Sequence, residues 1–468
     1  MKKQIVAAAF AVAVRSLVLC LASGLTASAV FSQSRNSTYI INNVTVIDGT
    51  GKAAQPDMRV TVKDGVIASV EPARPGLKNG PATQVIDGKG KFLIPGLWDM
   101  HVHLVDVDEI AIPVFPVYGV TSVRDMGGDV QKLMAWRSRI GSGEMLGPRI
   151  KLCGPMLEGK WEQKPGARTD HVAVGDADAA KAIVNTLADE GVDCIKMRTF
   201  ASPESYFALA ATAKARGIPL VGHAPWGIDP IAASNAGQKS FEHAYYPWPW
   251  ADLAPEKKLE IENTFRKNGS MVVPTFITWE AFRFPFQTVS TVVNDVDAKS
   301  DPRLKLVSPA LRKNWLSGLE DMKGQNIGSP GWEKALDAVY DQVAEMHDHG
   351  VGIMAGTDTG ATMTYPGAAL HQELKLFVSK CRFTPMDALL TATIMPAKFF
   401  GMEDRLGTIQ TGKLADMVLL DADPLEDIGN IDKIDGVMLN GKWLDRSALD
   451  AARADVEKRI ANAGHTGN

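Results

Sequence analysis

At 468 residues, with 45% apolar and 22% charged side chains, the chain has the composition of a soluble globular protein. It is longer than one ordinary core requires, so a large domain with a smaller companion is expected. The formal net charge of -4 supplies no basic field, which excludes nucleic acid as the expected partner and leaves small molecules.

The N-terminal stretch "MKKQIVAAAFAVAVRSLVLCLASGLTASA" has two lysines, an apolar run and then Ala27-Ser28-Ala29. That order predicts a secretory signal peptide over residues 1–29, cleaved near Ala29. Arg15 breaks the apolar run, so no stable membrane span is expected in the mature form. Leu19 stands before Cys20 where a lipoprotein site carries a small residue, so secretion is preferred to lipidation. The mature chain would keep Cys153, Cys194 and Cys381, an odd number at wide spacing with no CxxC pair. No disulfide framework is expected from that pattern, although the predicted compartment, a periplasm or the exterior, is oxidising.

Residues 38–92 read as short strands punctuated by Asp-Gly pairs at 48–49, 64–65 and 87–88, the first part of a small β-sandwich domain. From 93 to 402 the character changes. Apolar segments such as "GVTSVRDMG", "VDCIKMRTF", "PLVGHAP", "SFEHAYY" and "GIMAGTDTG" alternate with helical stretches, and they count to eight strands, the number that closes a (β/α)8 TIM-like barrel. Residues 403–446 return to short strands with glycine turns and are expected to complete the sandwich from the other end of the chain. Residues 447–468 predict a surface helix and a tail. A polar, proline-containing insertion, Thr288–Trp332, lies before the last barrel strand, where it could hang over the active face as a lid.

Two His-x-His pairs occur. His347 and His349 end a helical pattern stopped by Gly350, and on a helix i and i+2 diverge, so they cannot chelate one ion. His101 and His103, in "GLWDMHVHL", lie on a strand, where i and i+2 share a face and can reach a single metal. Later strands end in the same way: His223 closes "IPLVGHAP", His243 closes "KSFEHAYY" and Asp358 closes "VGIMAGTDTG". A barrel gathers those ends on one face. Lys196, inside the apolar "GVDCIKMRTF", should lose pKa on burial, and a neutral amine can capture carbon dioxide as a carbamate able to bridge two divalent ions. Taken singly, each has a plainer reading: a hydrogen-bonded strand-end histidine, a turn or cap aspartate, a barrel ion pair for Lys196. The joint order on successive strand ends favours a metal centre.

The motifs "PGLWDMHVHL", "IKMR", "VGHAP", "FEHA" and "AGTDTG", followed by "GKLADMVLLDADPLEDI", resemble the amidohydrolase superfamily, nearest its imidazolonepropionase-like and prolidase-like branch. "GVTSVRDMGG", "AGQKSFEH", "LGTIQTGKLAD" and "MLNGKWLDR" share the likeness, which covers nearly all of the chain beyond the leader. The resemblance implies a distorted barrel with two divalent ions, usually zinc. His101, His103 and Asp358 would hold one ion, His223 and His243 the other, and carboxylated Lys196 would bridge them, with Asp358 also catalytic as the proton carrier. Deaminase branches carry a glutamate shortly after the third histidine and lack the lysine. Here "HAPWG" begins at His223 and Lys196 is present, which implies amide hydrolysis.

The substrate is then expected to be a small-molecule amide, a dipeptide or N-acyl amino acid with a hydrophobic or aromatic group. A cyclic amide, carbamate, urea or ester at the same centre is the alternative, and a non-catalytic scaffold the remote one. After His243 comes "AYYPWPW", whose aromatics could line the pocket mouth, Tyr245 foremost, or pack against the insertion or the partner subunit of a homo-oligomer. Arg198 shares a strand face with Lys196 and could clamp a substrate carboxylate or form a structural ion pair. His371 begins the helix after Asp358 and could face the pocket or lie on the helix surface. His171 and Arg124 invite the same two readings.

Overall fold

Period-two alternation explains how one sheet serves two cores. The computed structural model describes residues 38–74, 83–159, 170–198, 202–244 and 250–465, so the predicted leader falls outside the described residues. Five strands from the N-terminal part, β1 (Thr38–Val46), β2 (Gln55–Lys63), β3 (Val66–Pro72), β4 (Thr83–Asp87) and β5 (Phe92–Pro95), open the structure. They join β16 (Met417–Leu420), β17 (Ile434–Leu439) and β18 (Lys442–Asp445) in the order β18-β17-β16-β5-β1-β2-β3, with β4 on β1. Leu93, Met417, Leu419 and Met438 point into the sandwich core with Ile41, Val60 and Ile67. Their neighbours Ile94, Val418, Leu420 and Val437 belong to the core shared with the barrel.

The barrel strands are β6 (Leu97–Val102), β7 (Val120–Asp125), β8 (Arg149–Leu152), β11 (Ile195–Met197), β12 (Leu220–Gly222), β13 (Gln238–Glu242), β14 (Met271–Val273) and β15 (Gly352–Ile353), eight as the sequence predicts. The ladder runs β6-β7-β8 and, separately, β11-β12-β13-β14-β15, all parallel. Helices between them present apolar stripes to the sheet, and a side-chain cap and a left-handed glycine bound several of them, as Asp176 and Gly191 do for Ala177–Glu190. The ring closes from β15 to β6 through Met100 N donating to Ala355 O (2.9 Å) and His103 N to Thr359 O (2.8 Å).

Between β8 and β11 the ladder is interrupted, because β9 (Met156–Gly159) and β10 (His171–Val174) are inserted there and β9 pairs with β11. Two devices hold this seam. Asp193 N donates to Leu152 O (2.8 Å) while the Asp193 carboxylate accepts from Leu152 N (3.1 Å) and Lys151 Nζ (2.8 Å). The second is a disulfide, Cys153–Cys194, both halves fully buried. The expectation of no disulfide framework is thereby qualified by this one bond. Cysteine spacing in sequence carries no signal for two residues that adjoin only because strands three and four of a barrel are neighbours. Cys381 stays free and buried.

The insertion before β15 forms helices Phe286–Val293 and Pro309–Met322 around an apolar core of its own, with Val289, Leu304, Leu311, Trp315 and Leu319 against Tyr365. Asn314 Nδ2 donates to Gly360 O (2.6 Å) and Thr362 Oγ1 to Trp315 O, which seats the insertion on the segment that follows Asp358. The C-terminal helix Arg446–His465 buries Leu449 and Val456, the latter beside Val114 and Leu306, so it is docked along one side. Among the described residues no helix is long and apolar enough to cross a membrane.

Candidate metal centre

Four imidazoles and one carboxylate meet at the C-terminal ends of the barrel strands. The rings of His101 and His103 are 5.5 Å apart between centroids, His101 and His243 4.8 Å, and His223 and His243 4.9 Å. Asp358 Oδ1 lies 3.1 Å from His103 Nε2 and 3.4 Å from His101 Nε2. One ligand atom each from His101, His243 and Asp358 falls within 4.8 Å of the others. His101 Nε2 is buried and has no hydrogen-bond partner, the state of a nitrogen kept for a cation. The donor set of imidazoles and carboxylate suits zinc or a similar divalent ion.

Local backbone geometry aims these groups. On β13, Ser240 and Glu242 face the barrel interior while Phe241 faces out and stacks on Phe265, so simple alternation would turn His243 outward. Instead His243 adopts φ 58°, and Asp358 likewise has φ 54°. Such left-handed backbone costs on the order of 1–3 kcal/mol per non-glycine residue and persists where surrounding contacts enforce it. For His243 those are its N–H on Val273 O (2.9 Å) and Nδ1 against Thr275 Oγ1 (2.6 Å). Gly222, immediately before His223, has φ +131° and brings β12 so close to β11 that a Cβ would lie 1.9 Å from Met197 O.

Burial sets the protonation states. It holds His101 and His223 well below the usual imidazole range, with the charge of Lys196 acting in the same direction, and takes His243 down to about 4. Burial is the largest influence on His103 and opposes its charge, but the hydrogen bond to Asp358 and the charges of Asp358, Asp106 and Asp125 together outweigh it and raise His103. Burial is likewise the largest influence on Asp358, and the bond to His103 with the charges of His243, His103 and Lys196 together keep it low. Lys196 is 1% exposed, and burial pushes its ammonium down to about 8. It lies within the electrostatic reach of His101, His223, His243 and Asp358, while the rings of His103 and His223 adjoin those of His101 and His243.

Beneath them lies a polar layer that the sequence reading did not assign. Glu242 Oε2 is 2.9 Å from His101 Nδ1 and is held by Arg124, whose Nη2 donates to both carboxylate oxygens (2.8 and 2.9 Å). Asp99 accepts from His101 N (3.2 Å), Thr357 N (3.0 Å) and Thr357 Oγ1 (2.6 Å), and burial raises it to about 7. Asp125 accepts from Leu104 N (2.7 Å) and Gly127 N (3.1 Å), and burial raises it to about 6. The available signal was an acid inside an apolar strand run beside three of the four histidines: Asp99 on the face of His101 and His103, and Glu242 next to His243.

The other predicted positions divide. Arg198 Nη1 pairs with Glu158 Oε1 (2.6 Å), an oxygen that His171 Nδ1 also meets at 3.0 Å, so the ion-pair reading holds while the Arg198 side chain keeps 40% exposure. His371 does not join the cluster and is not on the helix surface. It is buried, with Nδ1 on Asp432 (2.9 Å) and Nε2 on Tyr118 O (2.8 Å), so neither nitrogen is free for a substrate. Tyr245 lies outside the described residues. His347 and His349 diverge as expected: His347 stacks on Phe383, whereas His349 meets Glu262 at 2.6 Å. Ligand atoms of His349, Glu262 and Glu345 come within 4.8 Å, but Lys258, 3.3 Å from Glu345, already places a cation there.

An aromatic wall leads away from the histidines. Trp279 meets His243 edge-on at 6.2 Å, Phe282 follows at 5.5 Å from Trp279, and Trp332 of the insertion at 4.7 Å from Phe282. All three are partly exposed.

Comparison with known proteins gives a consistent picture. A model of the amidohydrolase family matches residues 318–444, which include Asp358. An imidazolonepropionase of Pseudomonas savastanoi pv. phaseolicola is 34% identical over 93 residues, 19% of this chain and 23% of that protein. The chain spans less than half the length of the curated relatives it matches. In fold it is similar to a Xaa-Pro dipeptidase solved with bound methionine (TM-score 0.65, 22% identity, 87% of this chain and 100% of that one). It is likewise similar to bottromycin amidohydrolase (TM-score 0.69, 22% identity, 90% of each chain).

Proposed function

We propose that the chain is a metal-dependent hydrolase of carbon–nitrogen bonds of the amidohydrolase superfamily, whose substrate is a dipeptide or N-acyl amino acid with a hydrophobic or aromatic group. The observation that carries the reading is the buried His101 Nε2, without a hydrogen-bond partner, facing Asp358 among three further imidazoles and Lys196. His101, His103 and Asp358 would hold one cation, His223 and His243 a second, with Lys196 as a carbamate between them. When bound, the ions would polarise the amide carbonyl and acidify a water.

The chain's own residues do the rest. Asp358 takes a proton from the water whose oxygen attacks the carbonyl carbon, and delivers it to the nitrogen as the C–N bond breaks, giving a carboxylic acid and an amine. The neutral imidazoles present lone pairs at neutral pH without first losing a proton. Trp279 and Phe282 offer an apolar face beside His243 for the substrate's hydrophobic group, and the exposed part of Arg198 offers a partner for its carboxylate. Lys196, and the absence of a glutamate in the residues just after His223, favour hydrolysis over deamination. A periplasmic or secreted location accords with the predicted leader and with the Cys153–Cys194 bond.

The test is purified full-length protein loaded with zinc and assayed against Xaa-Pro dipeptides, N-acyl amino acids and aromatic amides, with metal content measured by mass spectrometry. About two ions per chain and turnover of an amide support the reading. Turnover confined to cyclic amides, carbamates, ureas or esters moves the substrate class, and bound metal with no turnover on the whole panel returns the chain to a scaffold.

A further inference from the structure

We propose that Glu242, clamped by Arg124, is a positioning residue that fixes the ring orientation and tautomer of His101 and thereby the cation affinity of the centre. Both partners are fully enclosed, at 1% and 0% exposure. Every donor of the Arg124 side chain that is in contact has a defined acceptor: Nε on Met100 O (2.7 Å), Nη1 on Ser240 Oγ (2.9 Å), Nη2 on both oxygens of Glu242. The guanidinium also lies over the Phe399 ring at 5.3 Å from its centroid, and Ser240 Oγ donates to Glu242 Oε1. The carboxylate is thus immobile before any ion arrives.

Its free acceptor direction is spent on His101. A carboxylate paired with a guanidinium can only accept, so the group 2.9 Å from its Oε2 must be a protonated Nδ1. The proton on Nδ1 leaves the lone pair on Nε2, the buried nitrogen that faces Asp358. Asp99 fixes the same residue from its backbone side by accepting His101 N, so ring and main chain are held by different acids. A carboxylate behind an imidazole orients the ligand and raises its basicity, and loss of such a partner typically costs about 10–100-fold in metal affinity. Arg124 matters in a second way: it cancels the charge of Glu242, so the acid can sit inside the barrel without a net buried anion.

The affinity arm rests on the metal-centre reading, but the tautomer can be read without any metal. In metal-free full-length protein labelled with 15N-histidine, long-range proton–nitrogen correlation spectra should show His101 protonated on Nδ1, with the resonance assigned by its loss in His101→Asn. Protonation on Nε2 would overturn the proposal, whether or not any variant folds. In Glu242→Gln and Glu242→Asp, zinc affinity from chelator competition should fall about 10–100-fold while the melting temperature of the metal-free protein stays near that of wild type. Wild-type zinc affinity in both variants would overturn it, as would an affinity loss matched by collapse of the metal-free fold with no change in the His101 tautomer.

Discussion

Removing the Cys153–Cys194 bond tests whether the barrel is sealed where its hydrogen-bonded ladder stops. The crosslink spans a sequence separation of 41. For a loop of that length the chain-entropy relation gives about 13 cal/mol/K, or about 4 kcal/mol at 25 °C. A chain of this size has an unfolding entropy of about 0.9 kcal/mol/K near its midpoint, so the expected loss is about 4 °C in melting temperature. Differential scanning calorimetry at one scan rate would compare wild type with Cys153→Ala, Cys194→Ala and the double variant. Each single replacement already abolishes the crosslink, so both singles should fall by about the full amount and the double only slightly further. Thiol titration should find Cys153 and Cys194 unreactive in the non-reduced protein even after unfolding, because their sulfurs are joined to each other. A double variant that melts within about 1 °C of wild type, or additive single effects, would refute the seam argument.

Lys196→Ala should reduce amide hydrolysis to background and be partly restored by small carboxylic acids that refill the bridge; steady-state rates with and without added acetate or propionate check this, and full activity without them refutes the bridging role. Trp279→Ala should lower kcat/KM for aromatic substrates roughly 10-fold while leaving small-acyl substrates and metal content nearly unchanged, read from a substrate panel. Glu373 is buried behind the helix Phe276–Glu280, where it accepts from Phe276 N and Ile277 N, and burial raises it from 4.5 to about 8. The folded state therefore keeps a proton that the unfolded chain releases. Its contribution is whole below pH 4.5 and is lost as pH rises through about 8, with a slope of up to about 1.4 kcal/mol per unit. Denaturant titrations from pH 5 to 9 should show that decline in wild type and a flatter profile in Glu373→Gln.

The legible part of the site was the part written in strand periodicity. His101 lies on β6 and His103, two residues on, follows directly after its end, and the groups at positions 196, 223, 243 and 358 end or lie in short apolar runs, so a barrel had to bring them to one face. The eight-strand count followed from the same alternation, and the two-ended sandwich from the return of glycine-punctuated strands after residue 402. Pairings across the barrel were not legible. Arg124 and Glu242 are 118 residues apart in sequence and Cys153 and Cys194 adjoin only through barrel neighbourhood. His371 was misjudged because a histidine near a helix start does not announce that Asp432 and Tyr118 O wait for its two nitrogens. Nor does "FEHA" say that His243 takes a left-handed φ, a local cost that only the surrounding contacts make tolerable.

That cost bears on what the cluster is for. Left-handed backbone at His243 and Asp358, an unsatisfied buried nitrogen on His101 and a lysine pressed down to about 8 each work against the folded state. Buried groups without partners alone cost about 1–3 kcal/mol each, and apolar side chains of similar volume would avoid them. The deficit is recovered if the native state binds what the unfolded chain does not. A cation at 1,000 times its dissociation constant stabilises by about 4 kcal/mol, which at this chain's unfolding entropy is again about 4 °C. Calorimetry of chelator-treated protein, before and after zinc is restored, should show that rise, and His101→Asn should reduce it. Equal melting temperatures with and without zinc would mean that the strain and the unmet nitrogen serve something other than an ion.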